Sequence, residues 1–419
     1  MPALYHDIPQ SQGVENALKR AKQLIDFKWV PVKPFPSNIK VVPPEGGKFH
    51  VNGFFPAWLE QRGAVYSSCR FVEKYIGYNI SLETFTTAAA NPESVLYTRS
   101  FREYAEGGMH SYYGLVCSMF VSYALQLPYR QACAYWTEMP TIHPVDTSEL
   151  ENLQLCDIVL DPTHHIAMIT DIQRDVNGKV HIITVSESFK PLAFRNDYTP
   201  EQFRKFWLED GYSVHRYDLL DQITYEPDPF VYVEGDPVVP APKINRALML
   251  NFGNKANYRI GDKDELVEIS VFEDGWSGIE VTDPNGKVTI YHVADGKLQL
   301  APEIPGYYTA CLVKDGAKSD CVEWCMVNIE VSFDKDTVAV GEPINIHFKN
   351  SASDEKVFHY VINNDKFYPK GNYYFSEEED KSGKATVPAA KLPGKYYVIV
   401  MARNAYGVYT SRYTEINVE

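Results

Sequence analysis

LQLCDIVLDPTHHIAMITDIQRDVNGKVHIITVSESF, residues 153–189, reads as strand, turn, strand, turn, strand. The strands are CDIVLD, HIAMITDI and KVHIITVSES, and VNGK has the residues of a tight hairpin turn. By the period of two, His165, Ala167, Ile169 and Asp171 share one face of the middle strand. A histidine opening a mostly apolar strand calls for a polar partner. If Asp175 to Gly178 make the turn, paired residues have numbers summing to about 353, so His165 faces residue 187 or 188. Glu187 can then hold the imidazole, because directly opposed Cβ atoms lie about 4.5–5.5 Å apart. A slip of one residue would face His165 with Ser186 or Ser188 instead. His181 falls about 20 Å further along at about 3.3 Å per residue, too far to help. A surface ion pair within a hairpin is the plainer reading of the same residues.

Upstream, YYGLVCSMFVSYAL, residues 112–125, places a cysteine where a helix should begin. Val116, Phe120, Val121, Ala124 and Leu125 recur at helical spacing, so one face should be buried. Gly114 is a turn residue, which puts Cys117 in or near the first helical turn. Backbone N–H groups and the positive end of the helix dipole favour a thiolate there. A small buried core cysteine is the alternative. A thiol nucleophile needs an imidazole base and a third group to orient that base, and Cys117, His165 and Glu187 supply that set.

The order and spelling of these segments resemble the papain-like bacterial cell-wall peptidases of the NlpC and CHAP types. Val-Cys-Ser-Met-Phe-Val stands where those families have Asp-Cys-Ser-Gly-Phe-Val or Glu-Cys-Val-Ser-Phe-Val. CDIVLD stands for Gly-Asp-Ile-Val, with Asp157 matching the family aspartate, and HIAMI stands for His-Val-Ala-Ile-Val. GKVHIITVSES matches the Gly-x-Val and following Glu of the CHAP type. The resemblance implies Cys117 as nucleophile, His165 as general base and acid, and Glu187 as orienter. RGAVYSSCRF, residues 62–71, is similar to the Gly-x-Pro-Tyr-Ser segment of the family, which adds Tyr66 as a substrate or oxyanion contact. Tyr113 is a further substrate-contact candidate. Val116 and Met119 depart from the family pattern, and with Tyr112 and Tyr113 they change the expected pocket. The resemblance covers roughly residues 50–225.

The rest of the chain divides near residue 240. Ser11 can cap a helix lined by Val14, Ala17, Leu18, Ala21 and Leu24, and Thr199 with Pro200 can open another over residues 199–208. EPDPFVYVEGDPVVPAPKIN, residues 226–245, holds five prolines and reads as a stiff linker with few contacts between the halves. Beyond it the chain reads as short alternating strands and repeats itself. DGKLQLAPEIPGYYTACLV, residues 295–313, matches SGKATVPAAKLPGKYYVIVMA, residues 382–402, at a spacing of roughly 88 residues, the size of one β-sandwich. Tyr308 and Tyr396 occupy the place of the aromatic that opens the sixth immunoglobulin strand. The expected architecture is therefore multidomain: an α+β papain-like (NlpC/CHAP) catalytic domain over residues 1–225, the linker 226–245, and two all-β immunoglobulin-like sandwiches over residues 246–331 and 332–419.

Composition bounds the function. The 419 residues carry a formal net charge of −15, which disfavours nucleic acid and anionic membrane as partners. No apolar run reaches the length of a membrane span. MPALYHDIPQSQG lacks a basic segment followed by an apolar core, so no signal peptide is legible. The immunoglobulin-like modules nevertheless suggest a secreted or cell-surface protein, with a cytoplasmic one left open. Seven cysteines, at 69, 117, 133, 156, 311, 321 and 325, are too irregular for a disulfide framework, and the pairing among Cys311, Cys321 and Cys325 stays open. His164 beside His165 lacks further ligands at metal spacing, so neither zinc nor another cofactor is expected. The expected function is hydrolysis of amide bonds in peptidoglycan stem peptides through a thioester. The rivals are an acyltransferase or lipid thioesterase using the same triad, and a non-catalytic adhesion protein. The ligand of the immunoglobulin-like pair cannot be read from these residues.

Overall fold

The computed structural model describes residues 3–41, 49–67, 75–78, 80–98, 113–127, 131–225, 247–252, 255–261, 266–293, 295–351, 357–363, 373–376, 383–387, 393–412 and 414–419. The proline-rich stretch 226–245 and Cys69 lie outside the described residues.

Helix α1, Gln12–Asp26, starts where Ser11 accepts a hydrogen bond from the Val14 N–H, and it buries Val14, Ala17, Ala21 and Leu24. Helix α2 spans Leu82–Ala89 and helix α3 spans Cys117–Ala124. The six longer strands of the main sheet are β1 Ile142–Pro144, β2 Ile158–Asp161, β3 His165–Arg174, β4 Val180–Phe189, β5 Leu192–Tyr198 and β6 Ser213–Tyr217. They run in the order β5-β4-β3-β2-β6-β1, every neighbouring pair antiparallel, and the two-residue strand Tyr5–His6 pairs with β3. All eight residues of α3 are buried, not one face alone, because the helix packs against α1 as well as against β3 and β4.

The β3–β4 hairpin departs from a regular ladder twice. Met168 pairs with Ser186 and Ile169 with Val185, then Asp171 pairs with Thr184, so Thr170 is an extra residue on β3. The expected single face of His165, Ala167, Ile169 and Asp171 is therefore broken at Thr170, and Asp171 bonds the exposed ring of His6. A second irregularity, at His181 on β4, lies near the turn. The pairs nearest the site sum to 354, not 353, so continuing the register sets Phe189 level with His165 and leaves Glu187 on the diagonal.

Asp157, at the start of β2, is fully buried and receives both Nε and Nη2 of Arg216 from β6 at 2.8 Å. Burial pushes its carboxyl above the ordinary value, against the pull of that guanidinium and of the Gln154 N–H. The pair ties the strand preceding His165 to its neighbour.

The downstream half forms two units with one strand order. In the first, Leu248–Leu250, Val267–Val271 and Lys297–Leu300 make a three-stranded sheet. Lys255–Arg259, Ala317–Val327, Gly306–Lys314, Gly278–Thr282 and Val288–Tyr291 make a five-stranded one. The second unit repeats both sheets, from Ile329–Phe333 through Thr414–Val418, and in each unit the opening strand of the larger sheet pairs in parallel with a late strand. This is an immunoglobulin-like arrangement. The Tyr308 hydroxyl donates to the Ile304 carbonyl at 2.9 Å, a corner that fixes entry into the Gly306–Lys314 strand. Cys311 and Cys321, paired across a hairpin, are joined by a disulfide, and Cys325 is a buried thiol.

Few contacts were expected between the halves, and here the structure differs. One continuous core runs from α1 and the main sheet into the first β unit. Asn91 Nδ2 donates to the Leu250 carbonyl, Ser94 Oγ donates to the Asn251 carbonyl, and Phe252 meets Tyr113 ring to ring at 6.4 Å. Composition marked a stiff connection but could not show that the segments flanking it dock on each other.

Candidate active site

Cys117 is the first residue of α3, preceded by Val116, which offers no capping side chain. Two hydrogen bonds to the Leu115 backbone set its approach. The Leu115 N–H bonds the Val65 carbonyl, and the Leu115 carbonyl accepts the buried Ser188 hydroxyl at 2.7 Å. The segment carrying Val65 is itself pinned to β5 through Val65–Leu192 and through the Tyr66 N–H to the Pro191 carbonyl. Gly63 opens that segment with φ +98°, and a Cβ there would stand 2.2 Å from the Ala193 carbonyl oxygen, so only glycine fits.

His165 opens β3 and is 7% exposed, as are Cys117 and Glu187. Its Nε2 lies 2.5 Å from Glu187 Oε2, which leaves Nδ1 as the ring nitrogen for the thiol. Glu187 reaches it across a diagonal because a glutamate is long enough to span one. Burial works against a charge on His165, yet the charge and hydrogen bond of Cys117, followed by those of Glu187, push its pKa up to about 10. Cys117 is held well below its ordinary value by a hydrogen bond from Cys133, which outweighs burial, and then by His165 and the Ile166 N–H. The favoured state is a thiolate beside an imidazolium, the pairing a thiol nucleophile uses.

Three features of the site had no sequence signal. Cys133, at the start of a short 3-10 helix over Cys133–Glu138, brings its sulfur to 3.9 Å from the Cys117 sulfur. Trp207 stacks on the His165 ring at 6.3 Å and 17°, carried by a π-helical turn over Arg204–Leu208 that follows the capping box of Thr199 and Gln202. Phe189 and Tyr212 meet the same ring edge-on at 5.3 and 6.5 Å. Trp207 is 5% exposed, so the imidazole sits against a nearly dry aromatic wall. The capping signal at Thr199 was legible; that the next turn would reach His165 was not.

Of the remaining candidates, Tyr66 is half-buried and packs on Phe189 at 5.9 Å, one ring removed from His165. Tyr113 does not line the site. It has no exposed surface, and its ring packs on Phe85 and Phe252 in the core shared by the two halves. His164 is an exposed turn residue bonded to Asp161 at 2.7 Å. His181 bonds Asp175 at the hairpin turn at 3.2 Å. Among the described residues, no group of three or more His, Cys, Asp or Glu is placed to hold a metal ion, and no helix is long and apolar enough to cross a membrane.

No protein family and no curated protein matches the chain. Among solved structures, it is similar to tandem immunoglobulin domains of titin at 14% identity, over 42% of this chain and 94% of that one, with a TM-score of 0.19. It is similar to a two-domain fibronectin type III segment of chicken tenascin at 10% identity, over 37% and 91%, with a TM-score of 0.23. The fibronectin(III)-like modules of Clostridium thermocellum CbhA share 14% identity over 41% and 92%, with a TM-score of 0.19.

Proposed function

We propose that this protein is a papain-like cysteine hydrolase that cleaves amide bonds through a thioester. The observation that carries the reading is the 2.5 Å bond from Glu187 to His165 Nε2, with the thiol of a helix-starting cysteine acting on the same ring. Cys117 thiolate attacks the carbonyl carbon, and the backbone N–H of Cys117 faces the developing oxyanion at the helix start. His165 gives its proton to the leaving amine, and then takes one from the water that releases the acyl group. Glu187 keeps the ring oriented and stabilises its charge throughout.

Peptidoglycan stem peptides are the substrate class we propose, on the resemblance of Val-Cys-Ser-Met-Phe-Val, CDIVLD and HIAMI to cell-wall peptidases. The Cys311–Cys321 disulfide supports a secreted or cell-surface setting. The aromatic surroundings of His165 favour a second reading, an acyltransferase or thioesterase using the same three residues. Digestion of purified peptidoglycan with wild type and Cys117→Ala, products identified by mass, tests the first. Turnover of an acyl thioester by the same two proteins tests the second. Absence of Cys117-dependent products in both assays overturns the hydrolase reading.

A further inference from the structure

Cys133 takes no covalent part in the hydrolysis described above, yet its sulfur lies 3.9 Å from that of Cys117. Neither belongs to a disulfide. Closing that gap to the about 2 Å of a disulfide needs only a small side-chain movement. We propose that Cys117 and Cys133 form a site of reversible oxidation, in which hydrogen peroxide converts the pair to a disulfide and removes the nucleophile.

The two thiols differ in the way the chemistry requires. Cys117 is the more acidic, for the reasons given above, and a thiolate is the form that attacks a peroxide. Its sulfur bonds to the near peroxide oxygen, the O–O bond breaks and hydroxide leaves, giving a sulfenic acid on Cys117. The Cys133 sulfur then attacks the Cys117 sulfur, the S–O bond breaks, and the departing hydroxide takes the Cys133 proton as water. Both sulfurs are oxidised and one peroxide is reduced. Cys133 is half-buried where Cys117 is almost closed off, so the pair meets solvent through its second member. The other described thiols lack this arrangement. Cys156 is buried, and burial together with the neighbouring Asp157 charge raises its pKa, whereas Cys325 is buried in the β units.

The oxidation needs only the two thiols, and the loss of hydrolysis that accompanies it rests on the function proposed above. The full-length protein is treated with hydrogen peroxide, alkylated under denaturing conditions and mapped by mass without reduction. The expected result is a peptide pair linked through Cys117 and Cys133, with both thiols lost in equal amount and both recovered with dithiothreitol, while Cys156 remains alkylated. In Cys133→Ser the expected product is a Cys117 sulfenic acid that dimedone traps and that advances to sulfinic acid. A wild-type map with Cys117 as sulfinic acid and Cys133 alkylated overturns the proposal. So does one with both thiols intact at a peroxide dose that oxidises free cysteine. The wild-type map decides even if the variant fails to fold, and it does not depend on any hydrolytic activity.

Discussion

Ser188 donates its hydroxyl to the Leu115 carbonyl at 2.7 Å, so the strand that carries Glu187 also grips the backbone two residues ahead of Cys117. Cys117, the proposed nucleophile, and Glu187, proposed to orient its base, are thereby set by one strand. Ser188→Ala leaves that buried carbonyl without its donor and should cost roughly 1–3 kcal/mol. Urea denaturation reads the loss as a lower midpoint at unchanged slope. Iodoacetamide labelling of Cys117 should slow in the same variant, because the helix start is no longer held against β4.

Glu187→Gln keeps the shape and a hydrogen-bond acceptor beside His165 Nε2 but removes the charge that supports the imidazolium. Turnover on whichever substrate shows Cys117 dependence should fall by roughly 10²–10⁴, on the scale of losing an orienting carboxylate in a serine protease. His181 bonds Asp175 at the turn, and His181→Ala should leave turnover near wild type. The reverse ranking of the two variants would require a different third residue.

The pH profile of Cys117 labelling should be flat where an ordinary thiol's is steep. The thiol is held well below its usual 9.0, which extends the thiolate to lower pH than in an ordinary cysteine, and His165 stays protonated until about 10. Labelling should therefore hold level from neutrality to near 9 and fall only as acid carries the pH through the lowered Cys117 value. His165→Ala removes the positive partner, so its profile should shift upward and neutral labelling should drop. A wild-type rate that rises with a midpoint near the ordinary 9.0 would contradict the ion pair.

Residues 1–225 alone should be less stable than residues 1–331. Truncation strips Phe252 from Tyr113 and removes the backbone acceptors of Asn91 and Ser94, each such bond being worth about 1 kcal/mol. Thermal melting followed by circular dichroism should give a lower transition for the shorter fragment, with more binding of a hydrophobic dye. In the full chain, Phe252→Ala should cost about 3–5 kcal/mol, since the ring is 1% exposed. Equal melting of the two fragments would mean that the shared core adds nothing.

Local signals were the legible ones. Ser11 and Thr199 announced helix starts because a cap is a property of a few neighbouring residues. The doubled Gly-Lys and Pro-Gly pattern announced two alike β units because strand alternation repeats with the fold. The turn closes on Arg174 with Val180, which sum to 354, and the extra residues at His181 and Thr170 offset each other, so counting from an Asp175–Gly178 turn misplaced the ladder by one. Glu187 still reaches His165, since a long side chain tolerates a diagonal. Cys133 and Trp207 arrive at the candidate site through topology, which no spacing rule carries. Tyr113 stands close to Cys117 in sequence, but its ring enters the core and not the site.

The candidate site is scattered along the chain in an order that bears on its synthesis. From Cys117 onward the order is Cys133, His165, Glu187, Phe189, Trp207 and, last, Tyr212. Until the β3–β4 hairpin closes, no imidazole stands beside the cysteine, and its thiol has the modest reactivity of any cysteine in an open chain. A ribosome-bound chain that has passed residue 117 but not residue 189 is thus chemically quiet. Reactivity switches on with tertiary assembly, so labelling of Cys117 in stalled nascent chains would time the arrival of the native fold.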